Sequence, residues 1–116
     1  MVTFPTVRRA VAADAEQMRG VAQAMLAASP RHAGEAFDVA AAARTLDSSM
    51  DDGGLFVAVT PDGQVVGGIA GWSSPEPFSR GLMVGAYALG VLEEHRAGAA
   101  GLLLIRAWVS WARDIG

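Results

Sequence analysis

The stretch Val91-Leu-Glu-Glu-His-Arg96-Ala-Gly98-Ala-Ala-Gly101-Leu102 decides how this chain is interpreted. Residues 97–101 are all small, and small side chains let a backbone come close to a ligand. A helix is predicted to begin there, so its unpaired N–H groups and the positive end of its dipole face the loop. Arg96 adds a guanidinium group. The stretch predicts an anion cradle suited to a pyrophosphate, although a turn that only packs a strand against a helix would have a similar composition.

The segments on either side of this loop have different periodicities. The apolar run Leu82–Val91 is rich in strand formers and predicts a buried strand. After the loop, apolar residues recur at helical spacing and predict an amphipathic helix over about residues 100–115. The face expected to be buried carries Leu104, Trp108, Trp111 and Ile115, and the opposite face carries Arg106, Ser110 and Arg113.

Two common phosphate-binding patterns are excluded. A Walker-type loop requires Lys-Ser or Lys-Thr after its glycines, and the chain contains no lysine. A dinucleotide fold requires three spaced glycines and an acidic residue about 20 positions later, a distance that this sequence does not reach.

The loop resembles the acetyl-CoA loop of the GNAT superfamily of N-acetyltransferases. That loop usually reads Leu-x-Val, a short acidic or Pro-containing link, and Arg/Gln-x-x-Gly-x-Gly/Ala. Here it becomes Leu89-Gly-Val91, Leu92-Glu-Glu-His95 and Arg96-Ala-Gly-Ala99-Ala-Gly101, with Ala99 in place of a usual Gly and Glu93 in place of a common Pro. The resemblance implies acetyl-CoA as cosubstrate, bound by Leu89, Gly90, Val91, Arg96, Ala97, Gly98, Ala99, Ala100 and Gly101.

The resemblance extends upstream over nearly the whole chain. A strand at residues 6–10 precedes a helix for which Asp14 is the expected N-cap and Gln17 closes a capping box. Asp38 is expected to cap a second helix that runs through Met50. The expected apolar positions are Met18, Val21, Ala22 and Met25 on the first helix and Val39, Ala42, Leu46 and Met50 on the second.

Two further strands, over residues 55–60 and 64–73, are joined by the hairpin signal Pro61-Asp-Gly63. The expected fold is therefore α/β: a GNAT-like mixed, mostly antiparallel sheet flanked by helices, in the order β-α-α-β-β-β-α. We expect residues 1–116 to form a single domain.

Composition limits the classes of function. The net charge of −3 argues against a nucleic-acid partner, because a phosphate backbone requires a basic face. The absence of cysteine excludes disulfides and thiol catalysis, and His32 and His95 lack metal-ligand spacing. The apolar runs are too short to span a membrane, and no signal-peptide pattern is present. We expect a cytoplasmic protein, and its arginine-only basic residues with abundant Ala and Gly indicate a bacterial genome.

In the GNAT family a substrate amine attacks the acetyl thioester directly, and the enzyme positions the two reactants. A general base is needed because an alkylamine, with a pKa of about 10.4, is protonated at neutral pH. Residues 83–91 contain no carboxylate, so the catalytic candidates are Glu76, just upstream, and Tyr87, on the strand. The structural alternatives are a solvated loop charge for Glu76 and a core aromatic with a bonded hydroxyl for Tyr87.

The resemblance implies a small-molecule or peptide amine as acceptor, bound on the side of residues 25–44. Family members continue with further strands after the loop helix, so we expect an incomplete domain here, either the ordered part of a longer protein, a truncated product, or one partner of an assembly. An uncovered strand edge favours a homodimer. The alternative function is a non-catalytic CoA-binding or assembly module that retains a partial GNAT fold.

Overall fold

A computed structural model describes residues 5–28, 34, 36–95 and 98–115. It confirms the predicted order of elements, with short 3-10 turns at Ala12–Asp14 and Glu93–His95. The strands are β1 (Thr6–Arg9), β2 (Leu55–Val59), β3 (Val65–Pro75) and β4 (Leu82–Val91), and the helices are α1 (Ala15–Ala28), α2 (Val39–Asp51) and α3 (Ala100–Ile115).

The four strands form one sheet in the order β1-β2-β3-β4, and each neighbouring pair is antiparallel. The described part of the sheet is thus entirely antiparallel, which is the major part of the mixed sheet that the sequence predicts. Within the described ranges, β4 pairs only with β3, so its other edge has no strand partner there.

Helices cover both faces of the sheet. Alternate residues of a strand point to opposite faces, so one strand contributes to the cores on both sides. Leu55 and Val57 of β2 pack in a core under α1 and α2, whereas Phe56 and Ala58 pack in a second core under α3. This explains why β2 is an unbroken apolar run instead of an alternating one. The remaining buried residues are Met18, Val21, Leu46, Val65 and Ala70 in the first core and Val66, Ile69, Ala100, Leu104 and Trp111 in the second.

Helix α3 has the predicted bounds and the predicted orientation. Leu104 and Trp111 are buried, and Trp108 and Ile115 are partly buried against the same core. Two glycines make room for the indole rings: a Cβ on Gly54 would lie 2.8 Å from Cη2 of Trp111. A Cβ on Gly71 would lie 2.6 Å from Nε1 of Trp108. The expected solvent face of Arg106, Ser110 and Arg113 is exposed.

The predictions for α2 are confirmed with one exception. The Asp38 carboxylate accepts a hydrogen bond of 2.9 Å from the Ala41 N–H, as an N-cap does. Val39, expected in the buried stripe, is 54% exposed because it lies in the first turn, ahead of the part of the helix that meets the sheet. On α1, Met18 and Val21 are buried as predicted.

The capping box predicted for α1 is wrong. A 3-10 turn precedes the helix, and the Asp14 carboxylate accepts hydrogen bonds from the Val11 N–H at 2.8 Å and from Arg8 at 2.7 and 3.0 Å. The Arg8 hydrogen bonds, followed by that of the Val11 N–H, hold the pKa of Asp14 below its usual range despite burial of the carboxyl group. Gln17 instead accepts a 2.9 Å bond from the Val65 N–H, which ties α1 to β3.

The hairpin between β2 and β3 forms at the predicted residues. Gly63 has a φ of 88°, which only glycine adopts readily. The Thr60 N–H donates to the Gln64 carbonyl at 2.9 Å and closes the turn.

Candidate functional site

The segment from β4 to α3 is a chain of short backbone turns. The Leu92 N–H donates to Val66 at 2.8 Å, the His95 N–H to Leu92 at 2.9 Å and the Gly98 N–H to His95 at 3.2 Å. The Leu103 N–H then donates to the Ala99 carbonyl at 3.0 Å, which is the first helical bond of α3. The N-terminus of α3 therefore lies at the end of the small-residue loop, as the sequence predicts.

This helix terminus presents backbone donors. No described residue accepts a hydrogen bond from the N–H groups of residues 99–102, which are the first four donors of the helix. Gly98 is exposed, and the His95 carbonyl, at 3.5 Å, is the only atom of the described residues that a Cβ there would meet. Because the Gly98 N–H is already bonded to His95, the available donors begin one residue later than predicted.

The other residues predicted for the loop have different positions. Arg96 and Ala97 lie outside the described residues. Ala100 is buried in the core under α3, so it contributes to a ligand site only through its backbone. Glu93 and Glu94, beside the predicted anion cradle, are exposed.

The end of β4 leads into this loop with one backbone edge facing outward. Gly90 pairs with Gly68, and the next N–H on that side, at Leu92, also points to β3. By strand alternation the backbone groups of Leu89 and Val91 point to the outer edge. A Cβ on Gly90 would overlap the Met25 side chain, so the side chain of α1 packs directly over the β4 backbone at this position.

A β-bulge interrupts β4 at Tyr87. Ala70 pairs with Ala88, but the next residue of β3, Gly71, pairs with Ala86, so Tyr87 is the extra residue. Bulges bend a strand, re-aim a side chain and occur often next to active sites. No residue pattern in the sequence indicates this bulge.

The two catalytic candidates do not lie together. Tyr87 is 56% exposed, so it is not the core aromatic of the structural alternative, and no described residue bonds to its hydroxyl. Glu76 lies in the loop that joins β3 to β4, where Pro75 pairs with Leu82 and the Glu76 N–H donates to Gly81 at 2.9 Å. Tyr87 lies five residue steps along β4 from Leu82, about 16 Å at the usual rise.

Two side chains of the α2 end extend the sheet beyond β2, and sequence reasoning missed both. Because β2 begins at Leu55, the later residues of β3 have no described strand beside them on the β2 side. The fully buried Ser49 hydroxyl donates to the Gly71 carbonyl at 2.7 Å, and the Asp52 carboxylate accepts from the Ser73 N–H at 3.2 Å. These bonds hold the β3–β4 hairpin that carries the bulge.

The architecture and the loop together define the class of fold: the chain has the fold of the GNAT N-acetyltransferases. It matches an aminoglycoside acetyltransferase from an uncultured soil metagenomic sample, in complex with sisomicin, with a TM-score of 0.70 and 17% identity over 97% of this chain and 72% of that one. It matches a ribosomal-protein-alanine N-acetyltransferase from Brucella melitensis biovar Abortus 2308 with a TM-score of 0.75 and 19% identity over 96% of this chain and 73% of that one.

A third similar structure is a GCN5-related N-acetyltransferase from Kribbella flavida, with a TM-score of 0.73 and 22% identity over 98% of this chain and 28% of that one. No protein-family model and no curated protein sequence matches the chain.

No described helix has the length and hydropathy needed to cross a bilayer. The described His, Asp and Glu side chains form no group of three that could hold a metal ion.

Proposed function

We propose that this chain is an acyltransferase that moves an acetyl group from acetyl-CoA to a primary amine of a small molecule or peptide. The observation that carries the proposal is the continuity of two features: the outer backbone edge of β4 leads directly into the donor-rich N-terminus of α3. A strand edge suits an extended amide-containing chain, and a helix N-terminus suits a pyrophosphate.

The residues present fit acetyl-CoA. The N–H groups of residues 99–102 would bind the pyrophosphate, Arg96 would add the cation predicted from the sequence, and the backbone from Leu89 to Val91 would lie along the pantetheine. Acetyl-CoA supplies the thioester whose carbonyl carbon the amine attacks. The chain contributes mainly by holding the two reactants together, which accounts for much of the lowering of such a barrier.

One of the two catalytic candidates lies at the bulge, and the other lies far from it. Tyr87 lies where β4 bends, so in this proposal its hydroxyl lies beside the acyl group and takes part in proton transfer. Glu76 lies about 16 Å along the hairpin, too far for direct proton transfer at the bulge. We therefore expect Tyr87→Phe to reduce the acetyl-transfer rate and Glu76→Gln to leave it nearly unchanged.

Calorimetry with CoA tests the cofactor site. Arg96→Glu should weaken binding at least tenfold, because a charge-assisted contact contributes about 1.5 to 3 kcal/mol and the new carboxylate repels phosphate. Arg106→Glu is the matched control, since it makes the same charge change on the exposed face of α3. Equal affinity in the two variants would refute the assignment of the loop.

A second candidate function is a non-catalytic CoA-binding or assembly module. Two observations favour it: no described strand lies beside the outer edge of β4, and residues 83–91 contain no carboxylate. Such a module would bind CoA and form homodimers through the β4 edge, but would release no thiol from acetyl-CoA when amines are added. Light scattering and a thiol-release assay on the same sample distinguish the two functions.

A further inference from the structure

Trp72 and Tyr87 form an aromatic pair on the β3–β4 hairpin. Their ring centroids are 6.3 Å apart and their planes are inclined by 49°. Trp72 pairs across the strands with Gly85, and a Cβ on Gly85 would overlap the indole, so the ring lies across the β4 backbone at a residue with no side chain. The bulge at Tyr87 brings the second ring to the first.

The pair lies on the face of the sheet that carries α1 and α2. Gly71 faces the tryptophans of α3, so its neighbour Trp72 points to the opposite face. Tyr87 is 56% exposed and Trp72 is partly exposed, whereas Trp108 and Trp111 pack in the core under α3. The two rings therefore offer accessible surface that the folding core does not use.

The C-terminal end of α2 is bonded to β3, the strand that carries Trp72. The helix ends at Asp51 and is followed by Asp52, with no basic residue in its last turn. Carboxylates at a helix C-terminus are unfavourable because they meet the negative end of the dipole. The Asp52 carboxylate bonds to the N–H of Ser73, the residue after Trp72.

We propose that the Trp72–Tyr87 pair is the acceptor platform, which binds the protonated form of a primary alkylamine against its ring faces before the amine is deprotonated. The inference rests on the proposed function and deepens it by naming the class of acceptor. Aromatic faces attract a cation within about 6 Å of the ring centroid. An alkylamine is cationic at neutral pH, so the platform selects it over an uncharged molecule of the same shape.

Binding is tested without acetyl-CoA, by titrating n-hexylamine at pH 7 and following tryptophan fluorescence. The wild type should respond, and Trp72→Leu should not. Tyr87→Phe keeps the ring and should bind like the wild type, whereas Tyr87→Leu should bind about fivefold more weakly or worse, as expected for loss of a cation–ring contact. Phe78→Leu is the control, because Phe78 is 96% exposed at the tip of the same hairpin and should bind normally.

The uncharged isostere n-hexanol separates charge from apolar contact. If n-hexanol binds as tightly as n-hexylamine, the inference is overturned. Equal affinity of Tyr87→Leu and Phe78→Leu for n-hexylamine would also overturn it. Thermal melts by circular dichroism verify that the variants are folded. If Trp72→Leu does not fold, the comparison of Tyr87→Phe with Tyr87→Leu still tests the inference.

Steady-state kinetics separate this inference from the proposed function. With n-hexylamine as acceptor, the acceptor KM of Tyr87→Leu should be about fivefold or more above that of Tyr87→Phe, which also lacks the hydroxyl, and the two variants should share the same KM for acetyl-CoA. Residual transfer with equal acceptor KM in Tyr87→Leu and Tyr87→Phe would refute the platform alone. Amine binding that depends on Tyr87, without any acetyl transfer, would refute the proposed function and retain the platform as an amine site.

Discussion

Replacing Trp111 with alanine should remove the largest single contribution to the core under α3. Trp111 is 3% exposed, and its ring lies against Gly54 and Gly71 of the sheet. A buried tryptophan removes about 200 Å² from water, or about 5 kcal/mol at 25 cal/mol per Å², which is an upper estimate. Tryptophan-to-alanine changes in cores cost about 3 to 5 kcal/mol, so we expect about 4 kcal/mol.

Urea unfolding followed by circular dichroism measures this loss. A domain of this length has a total stability of roughly 6 to 17 kcal/mol, so Trp111→Ala should unfold at a much lower urea concentration than the wild type.

Trp108→Phe is the matched comparison. Its indole Nε1 is buried and has no hydrogen-bond partner among the described residues. The smaller phenylalanine ring loses contact area, but the substitution also removes an unpaired donor that costs about 1 to 3 kcal/mol. The free energy of unfolding should therefore change by no more than about 1 kcal/mol. A Trp111→Ala variant within 1 kcal/mol of the wild type, or a Trp108→Phe variant destabilised as much as Trp111→Ala, would refute this account of the core.

Two further predictions concern polar contacts. The depressed pKa of Asp14, caused first by its hydrogen bonds from Arg8, stabilises the fold above the carboxyl's unfolded pKa, and this contribution disappears as pH falls through the folded pKa. Asp14→Asn should therefore flatten the acid side of the stability curve in urea melts between pH 7 and pH 3; an unchanged slope would contradict the pairing. Ser49→Ala should cost about 1 to 3 kcal/mol, because it leaves the buried Gly71 carbonyl without its donor; Ser48→Ala, at an exposed site on the same helix, should have little effect.

The sequence by itself determined the elements whose causes are local. Strand β4 has the predicted bounds because residues 82–91 form a continuous apolar run rich in strand formers, and helix α3 has them because its apolar residues repeat with a period of 3.6. The turn at Gly63 and the Asp38 cap follow from the backbone preferences of single residues. The start of α3 at the end of the small-residue loop was likewise predicted from the sequence.

Tertiary structure alone decided the contacts between residues far apart in the chain. Gln17 bonds to a residue 48 positions away instead of capping its own helix, and Ser49 and Asp52 bond across 22 and 21 positions to the edge of β3. The bulge that brings Tyr87 to Trp72 depends on the register of two paired strands. Periodicity specifies which face a residue prefers, but a one-residue slip in register changes its partners, and only the packed sheet fixes that register.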